Sequence, residues 1–311
     1  MTSDETKPLI DTLTVIGLGL IGSSIARAAK KHGLAGTIRG GDLSEAVCKK
    51  ALEIGFVDEA TTDLGAAVAG ADMVVIAVPI GAFEAVGEAI AASLKPGVIL
   101  TDVGSVKQAV FAQLEALVPK GVHLIPGHPV AGTEFSGPES GFAELFENRW
   151  CILTPKSGGD GKAVSLLAQF WTRLGSKVEF MDAEHHDLVL AITSHVPHLI
   201  AFNIVGTASD LEEVTQSEVI KYSAGGFRDF TRIAASDPTM WRDVFLYNKD
   251  AVLEMLGRFV EDLTALQRAI RWGDGEALFE HFTRTRAIRK GIIEAGQETS
   301  QPDFGRRDGK K

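Results

Sequence analysis

A short apolar run at residues 12–16 (TLTVI) is followed at once by Gly17-Leu18-Gly19-Leu20-Ile21-Gly22. This junction constrains the fold more than any other part of the chain. The spacing G-x-G-x-x-G is weak alone in a sequence with 33 glycines. Its setting gives it weight. A β-branched run precedes it, and a helical pattern over residues 20–32 follows, with Ile21, Ile25 and Ala29 on one face and Gly33 as a stop. Asp42 ends the next strand, 20 residues after Gly22. Strand, glycine turn, helix and acidic strand end together make the dinucleotide-binding turn of a βαβ unit. Gly17 allows the tight turn, Gly19 lets backbone approach a pyrophosphate, and Gly22 lets helix and strand pack closely. Leu20 and Ile21 open the helix and offer unpaired N–H groups to phosphate. Asp42 accepts from both ribose hydroxyls and repels a 2′-phosphate. That favours NAD over NADP, since no cation stands directly after it (Leu43, Ser44, Glu45). Val78 and Pro79, after a later strand, are expected to line the same cleft; the alternative is a plain strand end with a proline stop.

Beyond that turn, strands and helices alternate. Residues 73–78 (MVVIAV) and 98–103 (VILTDV) read as parallel strands, the first buried on both faces. Shorter strands are expected before Gly41 and at 122–125, 151–154 and 177–180, with helices at 45–54, 83–93, 106–117 and 166–174. The alternation specifies a Rossmann-type α/β domain, a doubly wound parallel sheet, over residues 1–181. After Met181 only helical spacing persists, at 182–209, 210–219, 238–271 and 275–295. An all-α second domain is therefore expected over residues 182–296. Residues 297–311 carry almost no apolar side chains and read as a disordered tail.

A net charge of −10 argues against nucleic acid as a partner, because neutralising phosphates needs a basic face. No uninterrupted apolar run reaches the length of a membrane span, and the polar start (MTSDETKPLI) is no signal peptide. With two distant cysteines, Cys48 and Cys151, read as reduced buried thiols, the expectation is a soluble cytoplasmic protein without a bound metal.

Three downstream segments carry candidate chemistry: 101–107 (TDVGSVK), 127–134 (GHPVAGTE) and 225–241 (GGFRDFTRIAASDPTMW). The first two follow strand ends, where open α/β sheets bind ligands. His128 sits on a loop that the proline after it holds extended. It is a candidate general base, or else a structural histidine. Ser105 is either a hydroxyl that orients this histidine or the N-cap of the next helix. Arg228 and Arg232 present carboxylate-matching guanidinium forks; the alternative is ion pairing with Asp229 or Asp237. His195 and His198 straddle Pro197 in SHVPH, on one face of a proline-kinked helix that lines a pocket. His185 and His186, three turns away, face elsewhere or lie at the start of that helix.

In these motifs and their order (GLGLIG, the acidic strand end, DVGSVK, GHPVAGTE, SHVPH and GGFRDFTRIAASDPTMW) the sequence resembles the prephenate, arogenate and cyclohexadienyl dehydrogenases of tyrosine biosynthesis. The likeness spans about residues 12–290. It implies a Rossmann domain, a helical domain forming an intertwined homodimer, and an active site between them. It implies NAD-dependent oxidative decarboxylation of prephenate or arogenate to 4-hydroxyphenylpyruvate or tyrosine. His128 would draw off the ring hydroxyl proton, Ser105 would hydrogen-bond at the same hydroxyl, and Arg232 would bind a substrate carboxylate. His195, His198 and Trp241 would line the substrate site, and Glu134 would gate it. Little chain remains beyond the helical domain, so no appended regulatory domain is expected. Two alternatives share the glycine turn. A β-hydroxyacid dehydrogenase would place a catalytic lysine in its long interdomain helix, and residues 182–209 hold none. A non-catalytic dinucleotide sensor would not need His128, Ser105 and Arg232 together.

Overall fold

The computed structural model describes residues 7–133, 135–215, 221 and 224–294. Its first part alternates β1 (Ile10–Ile16), α1 (Leu20–Lys31), β2 (Ala35–Gly41), α2 (Glu45–Ile54), β3 (Glu59–Thr61), α3 (Leu64–Val68), β4 (Met73–Ile76), α4 (Phe83–Ile90), β5 (Ile99–Asp102), α5 (Lys107–Leu114) and β6 (His123–Leu124). The six strands are all parallel, in the order β3-β2-β1-β4-β5-β6. The order reverses between β1 and β4, and the glycine turn after β1 lies at that switch point. Every residue of β4 is 0% exposed, as its unbroken apolar run requires.

The expected later strands leave this sheet. Gly127–Pro129 (β7), Trp150–Leu153 (β8) and Lys177–Phe180 (β9) form a separate three-stranded sheet. In it β7 runs antiparallel to β8, and β8 parallel to β9, with helix α6 (Gly161–Arg173) between them in sequence. The chain leaves β5 at Gly127, whose N–H, the next after Ile125 N to face that strand, donates to the Asp102 carboxylate at 3.1 Å and not to its backbone carbonyl; on the other side the Pro126 carbonyl accepts from Thr154 N at 2.9 Å. The segment holding His128 is thus a strand, extended as its Pro129 demands, and not a loop.

Beyond Met181 the described residues are helical: α7 (Ala183–Leu190), α8 (Val196–Thr215), α9 (Gly225–Thr231), α10 (Pro238–Tyr247), α11 (Lys249–Trp272) and α12 (Gly275–Glu294). The single helix expected over 238–271 breaks at Asn248. A π-helical turn, Ala191–His195, joins α7 to α8 directly before Pro197. The proline ring cannot sit against a normal preceding turn, and widening that turn relieves the clash. The run Ala183–Asp210 is, contrary to expectation, long and apolar enough by length and composition to cross a bilayer. Here it carries Asp187 and buried His186, both hydrogen-bonded into the first domain, and buried His195, which is bonded to Asn248. Residues 216–219 of the helix expected at 210–219, and the tail from 297, lie outside the described residues.

An apolar core crosses between the two parts. Trp241 and Val244 of α10 pack with Ile80, Phe83 and Val106 of the Rossmann side. The carboxylate of Asp187, on α7, accepts from Lys107 N (2.7 Å) and Gln108 N (2.9 Å) at the start of α5. Helix α5 has no side-chain cap of its own, so its exposed N–H groups are satisfied from the neighbouring domain.

Candidate active site

The cofactor turn has the geometry its glycines require. Gly17 has φ +88°, and a Cβ there would come within 2.5 Å of the Ala77 carbonyl. A Cβ on Gly22 would sit 1.9 Å from the Gly17 carbonyl. Gly19 meets nothing within 4 Å on that side, which leaves open space beside the start of α1. That helix begins with no side-chain cap and no acid in its first turn, so the N–H groups of Leu20, Ile21 and Gly22 are available to a pyrophosphate. Asp42 accepts from Leu18 N and Ser44 N, both at 3.0 Å. These bonds hold its carboxylate at the end of β2 with lone pairs to spare. Val78 packs against the Gly17 turn and exposed Pro79 starts the next. The residues fit a dinucleotide.

A cavity of about 280 Å³ gathers Ser105, His128, Arg149, Ser194, His198, Arg232 and Trp241, among others. A larger, more open hollow of about 710 Å³ lies at the opposite, amino ends of β1 and β5 and gathers none of the candidates. His128 is 7% exposed. Its Nδ1 lies 2.9 Å from His186 Nε2, and His186 Nδ1 lies 2.8 Å from Asp187 Oδ1. Burial first, then the charges of His186, Lys107 and His195, hold His128 well below the ordinary imidazole pKa. It is therefore neutral at physiological pH, as a general base must be. Burial likewise takes His186 to about 2 and His195 to about 4.

Beneath β7, Lys107 Nζ donates to Asp102 Oδ2 (2.5 Å) and to the Gly127 carbonyl (2.6 Å), while Gly127 N donates to Asp102 Oδ1 (3.1 Å). Both charged side chains are buried. Burial pushes Lys107 down and Asp102 up, and each charge pulls the other back. The pair fixes the backbone directly before His128.

Across the cavity, His198 stacks on Trp241 at 3.7 Å between centroids, and its Nδ1 donates to the Ser194 carbonyl at 2.8 Å. His195 meets Trp241 edge-on at 6.0 Å. Asn248 donates to His195 Nδ1 at 3.0 Å, which leaves the hydrogen on Nε2. That buried N–H finds no partner among the described residues.

The structure thus brings together Ser105, His128, His198, Arg232 and Trp241, with His195 behind Trp241. Ser105 does not cap α5, since Asp187 does. Arg228 does not join them: it is 77% exposed and pairs with Asp229 at 3.2 Å. Glu134 lies outside the described residues. Four residues escaped the sequence reading. His186 lies at the start of α7, as one of the two expectations has it, and is wholly buried against His128. Its neighbour Asp187, a carboxylate beside a histidine, was the available signal. Lys107 sat inside a quoted motif without a role. Arg149 precedes β8, the cross-strand partner of β7, and follows Asn148, whose φ of 60° turns the chain.

A glycine-turn Rossmann domain, joined to a helical domain across a cavity that holds a neutral histidine and two arginines, defines a nicotinamide-dependent dehydrogenase. The chain belongs to the prephenate dehydrogenase family: "Prephenate dehydrogenase, nucleotide-binding domain" matches residues 25–180 and "Prephenate dehydrogenase, dimerization domain" matches 182–284. It is 43% identical over 277 residues to a cyclohexadienyl dehydrogenase of Zymomonas mobilis, spanning 89% of this chain and 94% of that one. It is 35% identical over 283 residues to a prephenate dehydrogenase of Bacillus subtilis, spanning 91% and 76%. Its fold matches the crystal structure of prephenate dehydrogenase from Aquifex aeolicus in complex with hydroxyphenyl propionate and NAD+, with TM-score 0.85 and 35% identity over 91% of this chain and 98% of that one. The protein is an NAD-dependent dehydrogenase of tyrosine biosynthesis, and the hydroxyacid dehydrogenase and sensor alternatives lapse.

Proposed function

We propose that this chain oxidatively decarboxylates prephenate, arogenate or both. The observation that carries the reading is the cavity itself: one wall presents Ser105 and neutral His128, and Arg149 and Arg232 add two cations. The substrate class matches, having a ring hydroxyl to deprotonate and two carboxylates to hold. Bound NAD supplies the hydride acceptor. Arg232 anchors one carboxylate in the manner of a guanidinium fork, and Arg149 suits the other. Trp241 and His198 pack against the ring. As hydride leaves the hydroxyl-bearing carbon, His128 takes the hydroxyl proton. The ring carboxylate then departs as CO2, its electron pair completes the aromatic ring, and His128 returns the proton to the phenolate oxygen. A base so placed contributes about 10²–10⁴-fold, and fixed orientation contributes further.

We divide the chain at 181/182 and propose a homodimer through the helical domain. That domain leaves Leu253, Val260, Leu263, Trp272, Phe279 and Phe282 exposed, more apolar surface than a monomer commonly shows. We place the protein in the cytoplasm, where unpaired Cys48 and Cys151 stay reduced. The test is NADH formation by purified protein with prephenate and with arogenate in separate reactions, NADP being run in parallel. The ratio of rates assigns the substrate. Absence of turnover with both, in protein that binds NAD, would overturn the reading.

A further inference from the structure

We infer that His186 and Asp187 are positioning residues that decide which nitrogen of His128 carries the lone pair. The inference rests on the reading of His128 as the base and adds what makes it one.

The argument runs outward from Asp187. Its carboxylate already accepts from Lys107 N and Gln108 N, at 2.7 and 2.9 Å, at the N-terminus of α5. Donors and the positive end of a helix both favour the ionised, acceptor-only form. The contact from His186 Nδ1 to Asp187 Oδ1, at 2.8 Å, therefore holds its hydrogen on His186. Neutral His186 then has only a lone pair at Nε2. The hydrogen between His186 Nε2 and His128 Nδ1, 2.9 Å apart, must come from His128. His128 is thereby fixed as the Nδ1–H tautomer, with its lone pair on Nε2, the nitrogen left for the cavity. Without this chain the ring is free to carry its hydrogen on Nε2 and to meet the substrate hydroxyl as a donor. The same contacts act again once the proton is taken, because Asp187 provides the negative charge behind the imidazolium.

Simple packing does not account for the arrangement. Capping α5 requires Asp187 but no histidine, and an aliphatic side chain would fill the space of residue 186. Instead two imidazoles meet edge-on in a buried site, their centroids 5.1 Å apart. Each nitrogen between His128 and Asp187 is used.

The first test needs no substrate. Full-length protein labelled with ¹⁵N at histidine is examined by multiple-bond ¹H–¹⁵N correlation, with His128 and His186 assigned by single substitutions. Both rings are expected as Nδ1–H tautomers. An Nε2–H signature for His128 would overturn the proposal. The second test is kinetic. Asp187→Asn presents an amide N–H to His186 Nδ1 and reverses both tautomers. Replacing the buried aspartate of a Ser-His-Asp triad by asparagine costs about 10⁴-fold in kcat; with one more ring in the chain, a loss of at least about 10²-fold is expected here, with NAD affinity retained. His186→Leu keeps the α5 cap and is expected to lose kcat similarly, while His186→Gln keeps an acceptor for His128 and recovers part of the loss. Equal kcat for the Leu and Gln variants, with NAD affinity and melting temperature falling in step, would mean that the residues only support the fold. Wild-type protein that has the expected tautomers but turns over neither prephenate nor arogenate would refute the proposed function and leave the tautomer assignment standing.

Discussion

Lowering the pH is expected to destabilise this protein well before its carboxylates titrate. Three buried imidazoles set the effect: His128, His186 and His195 are 7%, 0% and 0% exposed. Burial holds their folded-state pKa values below the ordinary one, to about 2 for His186 and about 4 for His195. Unfolded, each titrates near 6.5. The unfolded chain therefore binds more protons below that value, so stability falls as pH drops through about 6.5. At about pH 5.5 each unfolded ring is about ten-elevenths protonated, which costs the folded state about 1.4 kcal/mol per ring. His186 and His195 together lose about 3 kcal/mol between about pH 7.5 and 5.5, a large part of the 5–15 kcal/mol that ordinarily holds a protein folded, and His128 acts in the same direction. Carboxylates do not explain a loss in this window. Asp58 and Asp72 are depressed by backbone hydrogen bonds and lysine partners against the cost of burial, and their contribution is lost only as pH falls from the ordinary carboxylate value through their lowered ones. Asp187, pushed up by burial, acts with the opposite sign. Urea unfolding across this pH range, followed by tryptophan fluorescence, reads the slope. Substituting His195 by Asn should remove about 1.4 kcal/mol of the loss. A stability that stays flat from pH 7.5 to 5.5, or a slope the substitution leaves unchanged, would refute the reasoning.

Lys107→Met strands the Asp102 carboxylate in the core and is expected to cost about 3–5 kcal/mol in urea unfolding; Lys30→Met, which breaks a surface pair with Asp58, should cost under about 1 kcal/mol. Arg232→Ala and Arg149→Ala should each raise the substrate KM by about 10–100-fold, the worth of a charged hydrogen bond. Arg228→Ala should leave it unchanged, and a KM effect there as large as at Arg232 would contradict its surface placement. Asp42→Ala should weaken NAD and admit NADP, read as a fall of at least about tenfold in the ratio of kcat/KM values. The acid limb of kcat/KM should lie below the ordinary imidazole value because His128 titrates low; a midpoint near 6.5 would mean that its burial is relieved in solution.

What was legible in the sequence is what repeats locally. The glycine turn, the buried strand MVVI and the acid at the end of β2 each depend on neighbours within a βαβ unit, and spacing alone predicts them. The second sheet was not legible, because it turns on Gly127 leaving β5 for the Asp102 carboxylate and on pairings between segments far apart, such as His128 with Ile152. The same limit applies to the site. Ser105, His128, His198, Arg232 and Trp241 stand in recognisable motifs. Arg149 stands in none, and reaches the cavity only because β8 lies beside β7. Arg228 and Arg232 look alike four residues apart, yet helix α9 ends between them, and the second faces the cavity while the first faces solvent.

The histidines bear the hardest lesson. From spacing, His186 has no reason to approach His128, 58 residues away. The approach is fixed when Asp187 caps α5, because a carboxylate tied to two backbone N–H groups leaves its neighbour on α7 little freedom. The cap that docks the helical domain on the Rossmann domain thus also sets the base, so docking and catalysis are not independent properties here. A substitution that loosens the docking at Asp187 loses the tautomer of His128 with it. One made at Trp241, in the apolar core the two domains share, weakens docking but leaves the chain from Asp187 to His128 intact. The two should therefore separate in kind: the first in kcat, the second mainly in stability and KM.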